Sequence, residues 1–124
     1  MVTEKRRLGN LGEKLALQYL KKHHYKILTL NYQKRTGEID IVAQDKDKTV
    51  VFVEVKTRRS LRFGLPQESV NFLKQHKLIK TAQYYILENY KQSIPWRIDV
   101  ISIDLDDKKQ TGHLKHFKNV ISES

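Results

Sequence analysis

The sequence predicts an α/β protein in which a mixed sheet is flanked by helices, in the order α-β-β-β-α-β-β. Two segments repeat apolar residues at helical spacing, and five runs are rich in β-branched and apolar residues. The second helical segment lies between two of these runs, and a long crossover of this kind joins parallel strands. A mixed sheet with helices packed on it buries such segments.

The seven elements are expected at definite positions along the chain. They are a helix at 6–24, a strand at 25–31, strands at 37–44 and 49–57, a long helix at 68–90, a strand at 96–105 and a last strand at 113–121. The polar segment 45–48 makes the second and third strands a hairpin. A chain of 124 residues is the usual size of one domain, so residues 1–124 are expected to form a single domain.

The net charge and the absence of cysteine exclude some classes of function and favour another. The formal net charge is +10, all of it within residues 1–95, and the chain has no cysteine. Disulfides, thiolate metal sites and a cysteine nucleophile are therefore excluded. The chain has no apolar run near the ~18 residues of a membrane span and no secretory signal, so we expect a cytoplasmic location and no membrane partner. A small basic domain favours nucleic acid as its partner; the alternative is a basic surface that only aids solubility.

Two carboxylates interrupt apolar strands, where an unpaired charge is costly. Asp40 and Glu54 lie on the two strands of the hairpin. A register in which Val42 faces Phe52, with a connection of three or five residues, places both carboxylates on one face. A register shifted by one residue would separate them, and the sequence leaves this open.

Lys56 shares the face of Glu54, because strand side chains repeat every two residues. Two adjacent carboxylates favour a shared proton or a divalent cation, and oxygen ligands suit Mg²⁺ or Mn²⁺. A lysine beside them is suited to activating a water or stabilising a phosphate, which is the apparatus of metal-assisted phosphodiester hydrolysis. The alternative is a Glu54–Lys56 ion pair on a solvated face, with Asp40 ending its strand.

Two further acids are candidates for the same site. Glu13 borders the apolar side of the first helix, near Gly9 and Gly12, which would allow a close backbone approach. Its alternative role is that of a helix N-terminal acid stabilised by the helix dipole. Glu38 shares the strand parity of Asp40, and is either a further ligand or a surface acid at the strand end.

These residues belong to an ordered set of motifs. The set includes Leu8-Gly9-Asn10-Leu11-Gly12-Glu13, Asn31-Tyr32, Gly37-Glu38-Ile39-Asp40-Ile41-Val42-Ala43, Val51-Phe52-Val53-Glu54-Val55-Lys56-Thr57-Arg58 and Arg97-Ile98-Asp99-Val100. It resembles the YraN family of bacterial proteins, also called UPF0102, over nearly the whole chain. The resemblance implies the restriction-endonuclease-like fold of the PD-(D/E)XK nucleases, with archaeal Holliday-junction resolvases as the nearest described relatives.

The resemblance also implies residue roles. Asp40 and Glu54 match the metal-binding acids, helped by the backbone carbonyl of Val55. Lys56 matches the catalytic lysine, and Glu13 matches the helix-1 glutamate. The residue before Asp40 is Ile39 rather than the proline of the superfamily's name; the family's own pattern has no proline there. The expected cofactor is Mg²⁺ or Mn²⁺.

Basic residues flank this motif and are candidate phosphate contacts. They are Lys34, Arg35, Arg58, Arg59, Arg62, Lys74 and Lys77. Their alternative role is that of ordinary solvated side chains. The five histidines show no zinc-binding spacing, and we expect all of them on the surface.

The sequence therefore predicts a metal-dependent endonuclease acting on DNA, including branched or junction DNA. One alternative is a non-catalytic nucleic-acid-binding module on the same fold, and another is a basic surface that meets an acidic protein. A junction substrate would favour a homodimer, because two strands must be cut.

Overall fold

A computed structural model describes residues 3–59, 72–106 and 111–121 of the chain. The predicted fold class, an α/β mixed sheet flanked by helices in the order α-β-β-β-α-β-β, is confirmed. The elements are α1 (Glu4–Lys22), β1 (Lys26–Lys34), β2 (Gly37–Gln44), β3 (Val50–Arg58), α2 (Phe72–Asn89), β4 (Trp96–Asp106) and β5 (Thr111–Ile121). In the described parts of the chain, neither helix has both the length and the apolar composition needed to cross a membrane.

One five-stranded sheet forms the centre of the fold, with its strands side by side in chain order. β3 and β4 are parallel, as expected for strands joined through a helix, and the other neighbours are antiparallel. In the β2–β3 hairpin Val42 lies opposite Phe52. The predicted register is therefore confirmed, and residues 45–49 form the connection, the longer of the two lengths considered.

The two helices cover opposite faces of the sheet. On one face α2 packs Leu78 and Tyr85 into a cluster with Phe52. On the other face α1 packs Leu20 into a cluster with Val53. β3 is thus buried on both sides, as its continuous apolar run predicts, and a charged group in this strand must find its partners inside the protein.

Several element boundaries differ from the predicted ones for local reasons. α1 begins earlier because Oγ1 of Thr3 accepts the N–H of Arg6 at 3.1 Å, which caps the helix. It ends earlier because His24 adopts a left-handed φ of 67°. β1 continues to Lys34, since its pairing with β2 extends to the turn. The predicted start of α2 at residue 68 lies outside the described residues.

Gly12 allows α1 to lie directly against β3. A Cβ at this position would stand 1.7 Å from Oγ1 of Thr57. At Gly9 a Cβ would meet no atom within 4 Å. Of the two glycines, it is therefore Gly12 that provides the predicted close approach, and it fixes the position of its neighbour Glu13 relative to β3.

Candidate functional site

The β2–β3 hairpin opens at the end away from its turn, and Asp40 lies in this opening. Backbone pairing ends where Ile41 lies opposite Val53. Beyond that point the N–H of Val55 donates to Oδ2 of Asp40 at 2.8 Å. A residue's N–H and C=O point to the same neighbouring strand, so we expect the Val55 carbonyl to face the opening as well.

Glu54 lies on the α2 side of β3 and is paired with two lysines. Its Oε1 is 3.4 Å from Nζ of Lys56 and 3.1 Å from Nζ of Lys74. The predicted meeting of Glu54 with Lys56 is therefore confirmed. The alternative of an ion pair on a solvated face is wrong, because Glu54 is only 8% exposed. Lys74, expected to be a phosphate contact flanking the motif, instead reaches the carboxylate itself from α2.

The carboxylates of the site carry more negative charge than its lysines balance. Burial, followed by the negative charge of Glu54, raises the pKa of Asp40 to about 7, and the hydrogen bond from Val55 lowers it only in part. Burial and the neighbouring ammonium of Lys74 lower the pKa of Lys56. Burial acts in the same direction on Lys74, but its contacts with Lys56 and Glu54 outweigh that effect and raise its pKa. A cation beside Asp40 would favour its charged form.

Glu13 approaches this site from α1. Burial, and then the charges of Glu38 and Glu54, raise the pKa of Glu13. The side-chain amide of Asn31, oriented with its NH₂ group toward the acids, donates to Glu38 at 3.0 Å and to Glu13 at 3.1 Å. α1 begins at residue 4, so Glu13 lies well beyond the first turn, where the helix dipole acts. The dipole alternative for Glu13 is therefore wrong.

Sequence reasoning did not single out Asn31 as a site residue. It lies within β1 and has a left-handed φ of 51°. Asparagine adopts this conformation more readily than most residues do. The signal that could have identified it was its place, as Asn31-Tyr32, in the ordered set of motifs that also contains Glu13 and Glu38.

The donor set at the hairpin opening fits a hard divalent cation that keeps several waters. Among the described residues, no three histidine, cysteine or acidic side chains are grouped closely enough to hold a metal ion by themselves. Mg²⁺ is commonly bound through one or two carboxylates with water completing its shell. Asp40 and Glu54 supply two carboxylates, and a cation beside them would offset the repulsion by Glu54 that, after burial, contributes to the raised pKa of Asp40.

The predicted phosphate contacts are distributed unevenly around this site. Lys34 is paired with Glu88 and lies 5.5 Å from the centre of the Tyr32 ring, so it is drawn toward α2 rather than toward Asp40. Arg35 and Lys77 are exposed. Arg58 and Arg59 follow Lys56 at the end of β3, the first half-buried and the second exposed, and both interact with other groups. Arg62 lies outside the described residues.

A second polar cluster, which sequence reasoning missed, lies on the α1 side of the sheet around Asp99 of β4. Asp99 is fully buried. Oδ2 accepts from Nε2 of His116 at 2.7 Å, and Oδ1 accepts from the N–H of Asn119 at 2.8 Å and from Nε of Arg97 at 3.1 Å. Nδ1 of His116 meets the Tyr19 hydroxyl at 3.0 Å. The prediction that all histidines lie on the surface is wrong for His116, whose side chain is 5% exposed.

The Asp99 cluster has the features of a structural network. Burial alone would raise the pKa of Asp99, but the hydrogen bonds from His116, Asn119 and Arg97 outweigh it and lower the pKa. Burial raises the pKa of Tyr19, so this phenol is not an activated nucleophile. The signal in the sequence was an aspartate in the middle of an apolar strand, the same signal that identified Asp40.

The chain matches a family model over most of its length. The model described as "Uncharacterised protein family UPF0102" matches residues 12–103. A UPF0102 protein of Caldicellulosiruptor bescii is 48% identical over 115 residues, covering 92% of this chain and 96% of that protein. A UPF0102 protein of Caldanaerobacter subterraneus subsp. tengcongensis is 51% identical over 108 residues, covering 86% and 87%. One from Clostridioides difficile is 46% identical over 111 residues, covering 90% and 93%.

A solved structure is also similar in part. It is the crystal structure of a repair endonuclease from Pyrococcus abyssi, with a TM-score of 0.47 and 17% sequence identity over 88% of this chain. The chain spans only 42% of that protein. A similarity of this size carries no functional argument for the chain.

Proposed function

This chain belongs to the uncharacterised protein family UPF0102, and we propose that it is a metal-dependent endonuclease that hydrolyses phosphodiester bonds in DNA. The observation that supports this most is the meeting of Asp40, Glu54 and Lys56 at the opening of the β2–β3 hairpin. Carboxylates and a lysine in this arrangement are suited to the hydrolysis of a phosphodiester. The net charge of +10 is suited to a polyanionic substrate.

Asp40 and Glu54, with the carbonyl of Val55, would hold Mg²⁺ or Mn²⁺. A metal bound there would polarise the phosphate and lower the pKa of a bound water. Val55 N–H holds the Asp40 carboxylate in place at 2.8 Å, so this group is positioned before any ligand arrives. This hydrogen bond holds Asp40, and the ion pairs with Lys56 and Lys74 hold Glu54.

Lys56 is the residue that would orient the attacking water or bind the phosphate. Burial lowers its pKa, which makes its ammonium a readier proton donor and increases the fraction of the side chain that is the free amine. Lys74 lies at the same carboxylate, 3.1 Å from Oε1 of Glu54, and is a second donor within reach of a substrate phosphate. Glu13, held by Asn31, would support the metal's water shell from α1.

The test is a cleavage assay on labelled single-stranded, duplex, flap and four-way-junction DNA, in Mg²⁺, Mn²⁺ or EDTA. Glu54→Gln should lower cleavage about 10³-fold or more, because metal ligation is worth several kcal/mol and 1.4 kcal/mol is tenfold. Asp47→Asn is the matched control, since Asp47 is an exposed carboxylate in the turn at the far end of the hairpin. It should cut like the wild type.

The outcomes separate the enzyme from its alternative. Metal-dependent cleavage that Glu54→Gln loses and Asp47→Asn keeps supports the proposal, and the preferred DNA identifies the substrate. Cleavage at the wild-type rate by Glu54→Gln contradicts the site assignment. Salt-sensitive DNA binding without cleavage in any metal would instead support a non-catalytic nucleic-acid-binding module on the same fold.

A further inference from the structure

Three grooves follow one another along α2, starting at the proposed site. The first, of about 370 Å³, includes Lys74 and Lys77 and faces the β1–β2 turn. The second, of about 240 Å³, is lined by Lys80, Gln83, Tyr84 and Leu87. The third, of about 470 Å³, shares Gln83 and Leu87 with the second and reaches Trp96. The helix therefore carries a nearly continuous track from the carboxylates to the start of β4.

The outer face of α2 bears two successive lysines between apolar and aromatic side chains. We call it the α2 stripe, and it consists of Leu73, Lys77, Lys80, Tyr84 and Leu87. Leu73, Tyr84 and Leu87 are 64%, 47% and 76% exposed. The spacing of three and four residues places all five on one side of the helix, opposite the side that packs on the sheet.

The charge of this face is positive. Glu88 is the acidic residue of α2, and it is turned to β1, where it accepts from Tyr32 and pairs with Lys34. Glu38 also lines the first groove, but its carboxylate accepts from Gln33 and Asn31. The lysines of the α2 stripe are therefore left to attract an anion.

Lysines interleaved with exposed apolar and aromatic side chains match the surface of a single nucleic-acid strand. Its phosphates are attracted by lysines, and its base faces stack on apolar and aromatic groups. A duplex hides its base faces by stacking, so it would use only the lysines. The charge pattern and the exposure of Tyr84 and Leu87 thus favour a single strand over a duplex.

We propose that the α2 stripe binds a single strand of DNA that leads from the Asp40–Glu54 site toward Trp96. The proposal rests on the proposed function, since it takes that site as the place of cleavage. α2 has 18 residues, which corresponds to about 27 Å at 1.5 Å per residue. At the 3.4 Å per nucleotide of a stacked strand, that length holds at most about eight nucleotides, and an extended strand would place fewer along it. The preferred substrate would then carry a single-stranded segment beside the scissile bond.

The experiment measures binding in EDTA, where no metal-dependent cleavage takes place. Oligothymidylates of 4, 8, 12 and 16 nucleotides are titrated while fluorescence anisotropy and the emission of Trp96, the single tryptophan, are recorded. Binding should tighten up to about eight nucleotides and then level off, with quenching of Trp96. If oligothymidylates of all four lengths bind with the same affinity, the strand does not follow the whole length of α2 and the inference is overturned.

Matched variants test the two kinds of contact. Tyr84→Ala should weaken binding about tenfold, the size of a lost base–aromatic stacking contact. Leu87→Ala should weaken it by less, because a leucine offers apolar contact without an aromatic face. Leu30→Ala is the control, because Leu30 is an exposed leucine of β1, 47% exposed. Lys77→Gln and Lys80→Gln should each reduce the slope of log affinity against log salt by about one, while Lys46→Gln in the β2–β3 turn should not. An unchanged Tm shows that each variant is folded.

The result is separable from the proposed function. Binding that depends on the α2 stripe, in a protein that cuts nothing in Mg²⁺ or Mn²⁺, supports this inference and contradicts the nuclease. If the protein cleaves DNA but its α2-stripe variants bind DNA as tightly as the wild type, this inference is overturned and the proposed function is not. Tighter binding of a duplex than of a single strand of equal length also overturns it. So does a Leu87→Ala variant that changes the oligomeric state of the protein but not its affinity for DNA.

Discussion

Two carboxylates in strands on either side of β3 have opposite surroundings. Asp99 in β4 is fully buried and accepts hydrogen bonds from three residues, which together lower its pKa. Asp40 in β2 is surrounded by other acids, accepts one hydrogen bond from the N–H of Val55, and has its pKa raised to about 7. The same residue type is thus compensated in one strand and left short of positive charge in the other.

This difference is why we propose Asp40, and not Asp99, as a metal ligand. A buried carboxylate whose oxygens are all occupied contributes to the fold and has no capacity for a metal. A buried carboxylate beside a second one lowers stability until a cation or proton arrives, and such groups are found at functional sites. A charged residue in an apolar strand can therefore be a structural carboxylate or one of a functional site. Only the groups around it in the folded protein distinguish the two.

The largest expected effect on stability compares the two aspartates directly. Asp99→Asn should lower the free energy of unfolding by about 3 kcal/mol or more, because it removes the buried counter-charge of Arg97. Asp40→Asn should leave it unchanged or raise it by about 1 kcal/mol, since it removes an uncompensated charge and keeps an acceptor for Val55. Urea unfolding in EDTA measures both. Equal losses in the two variants would contradict the comparison.

A smaller effect is expected in the pH dependence of stability without metal. Folding raises the pKa of Asp40 from 3.8 to about 7, so the folded state binds more protons between these values and stability falls as pH rises. Folding lowers the pKa of Asp99, so its contribution is present above 3.8 and is lost as pH falls through the folded value. Tm measured from pH 3 to 8 should therefore fall from about pH 4 to 7, and Asp40→Asn should flatten this fall. A fall of the same size in Asp40→Asn would assign it to another group.

The smallest effect concerns the contact that brings α1 to the site. Gly12→Ala should destabilise the protein by about 1–3 kcal/mol, because the new methyl group overlaps Thr57. Gly9→Ala has open space and should stabilise the helix by up to about 1 kcal/mol. Thermal unfolding of the pair gives both signs. A stabilising Gly12→Ala would show that α1 can move away from β3 at no cost.

Much of the fold follows from local patterns in the sequence. Helical spacings and runs rich in β-branched and apolar residues identified all seven elements. The pairing of Val42 with Phe52 was favoured because both are apolar and lie in a hairpin. The capping contact of Thr3 and the left-handed His24 were missed, and they shifted the ends of α1. Such ends depend on single hydrogen bonds and torsions, which periodicity does not report.

The candidate site was predictable only where its residues are close in the chain. Glu54 and Lys56 share a face because of strand geometry alone. The arrival of Lys74 at Glu54 depends on how α2 docks on the sheet, and helical periodicity suggested a flanking phosphate contact instead. The bridge from Asn31 to Glu13 and Glu38 likewise joins three elements.

The sequence by itself determined the elements, their order and the excess of positive charge, and it favoured the hairpin register through the apolar pair Val42 and Phe52. Each of these depends on neighbours in the chain or on composition. Only the tertiary structure decided that Asp99 accepts hydrogen bonds from His116 and Asn119 as well as from its strand neighbour Arg97, while Asp40 lies close to other acids. The free energy of a buried charge depends on which groups surround it in space, and His116 and Asn119 reach Asp99 from another strand.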